Sequence, residues 1–372
     1  MSVGPIVPPA GGIGAAAPSA ASGGQSPPAA PPGAGAPATA QAPVNVALSA
    51  VDAALLGALP TQDSLGPLLA DLGAAVDSPA LPPDARATAQ QILSLQAPLD
   101  ASVTSADLRA AVSGTGLFLE TLLAAQALAP GAGAGQAPDL NNDLKALLSR
   151  LAEALSPQAL SAAMEIEAAE LPPAPGAPKR TTNFGRGSVD RPPPPSAGGP
   201  TAAQPAARSS LEPQTDTAHL GQALRHDAEA ALARLQLSQI ASLPKPGAPT
   251  RWSFELPVAA PDGRAMAQFE ISRDGRGNGA AGAPAEPTWR AKFSINVEPN
   301  GPVHAEVALS GGRTRVTLWG ERPATQAALT LAQGQLAQDL VGDQGADAAV
   351  RVLGGAPAPP QVEAGRLINR TS

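Results

Sequence analysis

Apolar residues keep a helical period through the first two-thirds of the chain and switch to strict alternation near residue 250. Leu55, Leu56 and Leu59, then Leu93 and Leu95, open the helical pattern. Over 103–129, Leu108, Val112, Leu119, Leu122 and Leu123 predict a helix that Gly114 and Gly116 interrupt. Over 139–168, Leu140, Leu144, Leu147, Leu148, Leu151 and Leu155 predict another. Few larger side chains accompany these leucines, so 46–170 is expected to be a loosely packed helical region. Leu220, Leu224, Ala228, Ala231 and Leu235 form one stripe, which predicts an amphipathic helix over 217–243, stopped by Pro244.

After 250 the period becomes two, the signature of half-buried strands. Trp252, Phe254 and Leu256 face one way, as do Ala265, Ala267, Phe269 and Ile271. So do Trp289, Ala291, Phe293, Ile295 and Val297, then Val303, Ala305, Val307 and Leu309, then Val316 and Leu318. Pro299-Asn300-Gly301 and Gly311-Gly312 supply tight reversals. Five such strands make an antiparallel sheet with one apolar and one wet face. A helix with Pro323 in its first turn and Leu329, Leu336 and Leu340 on one stripe follows. Val350 and Val352 mark a last strand over 347–353. This helix is the expected cover of the apolar face, with 217–243 helping. The predicted fold is a largely disordered and helical N-terminal part plus a small α+β C-terminal domain, an antiparallel sheet covered by one or two helices.

Composition sharpens that division. The chain has 372 residues, with 38 Gly, 43 Pro and only 2% aromatics, and alanine supplies about half of its 43% hydrophobic content. All three Trp and three of the five Phe fall between 252 and 319. Excess Pro and Gly without a period predict poor cores elsewhere. The expected organisation is disordered 1–45, helical 46–170, a Pro-rich linker 171–214, the amphipathic helix 215–244, the α+β domain 245–353 and a flexible tail 354–372. Absence of Cys removes disulfides, thiolate chemistry and Cys-ligated metals. The first residues show neither the basic segment nor the apolar core of a secretory signal, and no apolar run is long enough to cross a membrane. A net charge of −7 gives no nucleic-acid footprint.

Candidate chemistry is sparse. Gly277, Gly279 and Gly282 match G-x-G-x-x-G, but Pro284 and Pro287 follow where a phosphate-binding helix would be needed, so a hairpin loop is expected. His219 and His226 share a helix face without a carboxylate at ligand spacing. Glu255, Glu270 and Glu306 line the polar sheet face, where cross-strand pairing with Arg290, Lys292 and Arg315 is expected. Asn369-Arg370-Thr371 is a sequon that carries no meaning without secretion. No catalytic, cofactor or metal residues are assigned, and the chain is expected not to be an enzyme. The surface candidates for a partner are Arg290, Lys292, Pro299, Gly301, Val303, His304, Glu306, Arg315 and Trp319. Trp319 belongs by alternation to the polar face, where an aromatic suggests a partner. Packing of an edge-strand Trp319 on the following helix is the other reading.

Several strings then resemble a known family. Trp252-Ser253-Phe254-Glu255-Leu256-Pro257, Phe293-Ser294-Ile295-Asn296-Val297-Glu298-Pro299-Asn300-Gly301, and Val316-Thr317-Leu318-Trp319-Gly320-Glu321-Arg322-Pro323 before a helix are similar to the C-terminal domain of flagellar hook-length control proteins, in the form common among alphaproteobacteria. Ser113–Glu120, Asp143–Leu148 and the tail Gly365–Ser372 resemble the same family. The loop 275–287 is Gly/Ala-expanded and the helix 323–341 is poorer in Leu than is typical of it.

The resemblance implies a monomeric, non-enzymatic flagellar assembly protein that needs no cofactor and binds neither nucleic acid nor a small-molecule substrate. It would be cytoplasmic before export, then pass through the flagellar type III apparatus to the hook channel. Its arm would gauge the hook, meeting hook and hook-cap proteins, and its C-terminal domain would meet the cytoplasmic domain of the export-switch membrane protein. About 245 residues precede the α+β domain, which corresponds to ~800 Å fully extended or ~370 Å as helix. Composition alone also admits a scaffolding or adhesin-like protein with a disordered arm and a small β-rich binding module.

Overall fold

The computed structural model describes residues 42–99, 103–128, 139–161, 191–212, 215–260, 263–274, 287–344 and 347–358. The glycine-rich 277–282 stretch, the Asn369 sequon and most of the stretches read as disordered arm and tail lie outside the described residues.

The N-terminal helices include α1 (Ala42–Ala58), α2 (Leu65–Ala75), α3 (Pro83–Ser94), α4 (Ser105–Ser113), α5 (Leu119–Leu128) and α6 (Leu144–Ala154), with the two-residue strand β1 (Ala97–Pro98) after α3. Their starts are written in the sequence. Ser64 caps α2 by accepting from the Gly66 amide, and Asp143 caps α6 by accepting from the Ala146 amide. Thr104 and Asp107 form a capping box on α4. The predicted 103–129 helix is two helices: it stops at Gly114, and Gly116 takes φ +80°. A Cβ on Gly116 would stand 2.6 Å from the Lys145 Cβ, so the break lets α6 approach.

Helix α7 (Thr217–Ala241) is capped by Asp216 and leads to the sheet. Strands β2 (Thr250–Ala260), β3 (Gly263–Arg273), β4 (Trp289–Val297), β5 (Gly301–Ser310) and β6 (Arg313–Gly320) pair antiparallel in sequence order. Helix α8 (Pro323–Gln344) returns the chain so that β7 (Asp347–Gly354) pairs parallel with β6. β1 adds a parallel edge to β2. The domain is therefore α+β, and its seven-stranded sheet is mixed at both ends. Gly311 and Gly312 both have positive φ, as the primed turn between β5 and β6 requires.

The register places every predicted apolar strand residue on one face. Phe254 lies opposite Phe269, and Phe269 opposite Phe293, with ring centroids 5.3 Å apart in each pair. Trp252 and Trp289 stack at 6.1 Å. Phe254, Ile295 and Val316 are buried, while Trp252, Phe269, Ile271, Phe293, Val297, Val307, Leu318, Val350 and Val352 are half-buried. Trp289 and Leu309, expected in the core, are exposed, because the β4 start and β5 end project beyond their cover. The cover is α8, whose first turn sits over Gly320 and Gly354 and whose Gln333 donates to the Val350 carbonyl. Its Leu329, Leu336 and Leu340 are only half-buried.

Helix α7 does not help cover that face. It packs with α2 on the opposite, polar face, and Met266 of that face joins the helical leucines in one cluster. That cluster holds Leu65, Leu68, Leu69, Leu72, Leu144, Leu147, Leu148, Leu151, Leu220 and Leu224. The region expected to be loose thus contains the most completely buried side chains of the described chain. Alanine explains it: Ala85, Ala89, Ala228 and Ala231 lie between the leucines and let helices approach closely. Each fully buried leucine contributes about 1.5–3 kcal/mol relative to exposure.

Residues 191–212, read from sequence as part of a linker, run between the two layers. The described residues from Val46 onward therefore form one unit and not a chain of separate pieces.

Candidate partner-binding surface

The β4–β5 turn is gripped by the start of α8. Arg322 donates to both carboxylate oxygens of Glu298, at 2.7 and 2.8 Å, and to the Pro299 carbonyl. The Thr325 hydroxyl donates to the Asn300 carbonyl at 2.5 Å. Gly301 has φ +74°, and a Cβ there would stand 2.4 Å from Arg322 Nε, so glycine is required on both counts. The bonds from Arg322 hold the Glu298 carboxyl below its ordinary range, and Glu298 raises Arg322 in turn. Glu298 precedes the turn and Arg322 precedes Pro323, so the β4–β5 turn and the start of α8 are fastened to each other.

His304 supplies a second fastening. Its Nδ1 lies 2.7 Å from Ser294 Oγ and its Nε2 lies 2.9 Å from Glu321 Oε1. Ser294 is fully buried and His304 is 4% exposed. Serine, imidazole and carboxylate stand in line, yet the hydroxyl donates to the Thr201 carbonyl and is shut away from any substrate. The arrangement is a structural tie.

Further along β4–β6 the polar face opens. A groove of about 370 Å³ is lined by Thr288, Arg290, Glu306, Arg313, Arg315 and Thr317 among others. Arg290 lies 3.5 Å from Asp274 and 3.8 Å from Glu306. Lys292 stands opposite Glu306 in the register. Arg315 forms no ion pair with any described residue. These charges, with Arg290 and Arg315 exposed and Lys292 and Glu306 half-buried, are the part of the polar face that matches the expectation of a wet surface.

Toward β2 and β3 the same face is closed. Arg234 of α7, 3% exposed, donates to Glu255 Oε1 at 2.6 Å, to Gln62 Oε1 at 2.7 Å and to the Pro193 carbonyl at 3.0 Å. Gln204 donates to Glu255 and accepts from Ser64. Gln268 donates to Glu255 Oε1 at 3.2 Å and accepts from the Ala202 amide at 2.9 Å. Glu255 is thereby committed to structure, and the three polar-face glutamates do not gather into an acid/base pair.

Of the predicted surface residues, Arg290, Arg315 and Pro299 are exposed, and Lys292, Glu306 and Trp319 are half-buried. Gly301 and His304 are buried and Val303 points to the apolar face, so these three shape the surface without forming it. Trp319 lies between His304 and Leu353 in the cross-strand row, and β7 outside it means that β6 is no edge strand. Sequence reasoning missed Arg234, Gln204, Thr201, Glu321 and Arg322. An arginine on the leucine stripe of α7 was the one available signal. The other contacts join residues far apart in the chain. His219 bonds to its own cap, Asp216, and among the described residues no group of His, Asp or Glu is arranged to hold a metal.

The fold and its fastenings define an α+β domain in which a sheet, a β4–β5 turn and the start of the following helix act as one piece. Residues 277–356, which include β4 to β7, match the family described as the flagellar hook-length control protein FliK. The matched segment is about a fifth of the chain. This segment is similar to a hook-length control domain, which supports a role in hook-length control. No curated protein and no solved structure matches the chain.

Proposed function

We propose that this chain is an exported, non-enzymatic regulator that measures the growing flagellar hook and then switches export from hook to filament subunits. The observation that carries the reading is the hook-length control match over β4–β7. The N-terminal part, rich in Pro, Gly and Ala, is suited to threading through a narrow export channel and meeting hook and hook-cap proteins. The C-terminal domain, with its fastened β4–β5 turn and its charged groove, is suited to meeting the cytoplasmic part of the export-switch membrane protein. Among the described residues no helix is long and apolar enough to cross a membrane, which fits passage through the flagellar apparatus.

Deleting the gene is expected to give overlong hooks without filaments, scored by electron microscopy. Hooks of normal length bearing normal filaments would overturn the proposal. In-frame deletions within 171–190 are expected to shorten hooks in proportion to the residues removed.

A further inference from the structure

Residues 191–204 contain four consecutive prolines and two adjacent glycines, and they have neither helix nor strand. Their apolar side chains are only proline and alanine. Their hold on the sheet is therefore polar. Arg234 reaches the Pro193 carbonyl and Gln62 the Pro192 carbonyl, at 3.0 and 3.2 Å. Thr201 Oγ1 lies 2.8 Å from Ser294 Oγ, the Ala202 amide donates to Gln268, and Gln204 meets Glu255. From Thr201 to Gln204 the strap crosses β4, β3 and β2 in turn.

What lies beneath is poorly suited to permanent burial. Glu270 is 5% exposed and forms no hydrogen bond or ion pair with any described residue. It lines a cavity of about 120 Å³ between the strap and the strands, with Pro195, Thr201, Ser253 and Gln268. A nearly buried carboxylate, facing Lys292 across the strands and standing beside a gap in the packing, works against tight closure. The start of the strap and the chain just after it are tied to the helical layer, Arg191 to the Pro60 carbonyl at 2.7 Å and Ser210 to Asp71 at 2.6 and 2.7 Å. Drawing the helices out from the N-terminal side pulls the strap with them.

We propose that the polar face between β2 and β5 is a docking groove for an extended, uncharged peptide segment rich in proline, hydroxyl and carboxamide groups, held shut in cis by residues 191–204 and opened when the chain ahead of it is withdrawn. The groove selects main-chain carbonyls with Arg234 and Gln62, an amide with Gln268, and a hydroxyl with Ser294. Its floor balances Glu255 and Glu270 against Arg234 and Lys292, so it favours an uncharged ligand. That the incoming segment belongs to the export-switch partner rests on the function proposed above. The groove and its occupant do not.

The probe is an end-blocked fluorescent peptide of residues 192–204, which carries no charge, added to the full chain and read by anisotropy. In a Thr201→Ala, Ala202→Pro, Gln204→Ala variant the strap loses three of its contacts. This variant is expected to bind at least about tenfold more peptide than the unmodified chain, whose tethered strap competes at high effective concentration. The chain has no Cys, so oxidising a Thr201→Cys, Ser294→Cys pair locks the strap down and is expected to abolish the binding that the same pair shows when reduced. All three Trp lie in the sheet, so a fluorescence melt shows that it stays folded in each protein. Equal binding by the released and locked variants overturns the proposal, as does no binding by a released variant whose sheet melts normally. A failed export switch would show as normal hooks in the deletion strain and would leave the peptide result unchanged.

Discussion

Leu68, Leu69, Leu147 and Leu151 of the helical layer are fully buried, whereas Trp289 and Leu309 on the apolar face of the sheet are each 38% exposed. The dilute half of the sequence has the tighter core, and the aromatic half has the more open one. Small residues account for the first. Alanines between leucines bring helix axes together, so modest side chains fill the space. Cover accounts for the second. A single helix over β6 and β7 cannot shield five strands, and the aromatic rings shield one another by stacking, worth about 0.5–1.5 kcal/mol per pair beyond burial. Counting large apolar residues thus ranks the two regions in the wrong order, because completeness of burial depends on fit.

The largest expected effect comes from the residue that joins the regions. Arg234→Ala leaves Glu255 without its charged partner and removes the donor to Gln62 and Pro193. It should cost about 3–5 kcal/mol in urea unfolding and should loosen both layers together. If only one transition moved, the layers would be independent.

Identical leucine truncations then test the contrast itself. Leu147→Ala is expected to cost about 2–5 kcal/mol. Leu309→Ala, already open to water, is expected to cost less than about 1 kcal/mol. Equal losses would refute the ranking drawn from burial. Within the sheet domain, Gly301→Ala forces a positive φ on a residue with a Cβ and drives it into Arg322. A loss of about 1–3 kcal/mol is expected, with Arg322→Ala partly relieving it in a double-mutant cycle.

The smallest effect concerns pH. Burial holds the Asp143 carboxyl above its ordinary value, outweighing the hydrogen bonds from the Ala146 and Lys145 amides. The folded state therefore keeps this proton where the unfolded chain has lost it. The stability linked to Asp143 is fullest below the ordinary Asp pKa and is lost as pH rises through the folded value. Asp143→Asn keeps a capping oxygen and should flatten that part of the stability–pH curve. An unchanged slope would show that Asp143 titrates normally.

The strands were legible because each carries its own record: alternation from Trp252 to Leu318, with Gly311-Gly312 and Pro299-Asn300-Gly301 at the reversals. The helix break at Gly114 and Gly116 was legible for the same local reason. The surface was legible only at its outer part, at Arg290, Glu306 and Arg315. His304 looked solvent-facing because alternation reports which face a residue is on and not what covers that face. The strap looked like a linker because Pro, Gly, Ser and Ala carry no period, and its bonds to Gln268 and Ser294 join residues 66 and 93 positions apart.

By itself the sequence determined the local elements and the side of the sheet on which each residue lies, since backbone propensity, caps and a two-residue period act over a few neighbours. Tertiary structure decided what meets each side. The helical leucines and the strap closed the polar face, α8 took one end of the apolar face, and Arg322 tied a turn to a helix start. Those outcomes depend on contacts between distant residues, for which shape and satisfied hydrogen bonds count and spacing along the chain does not.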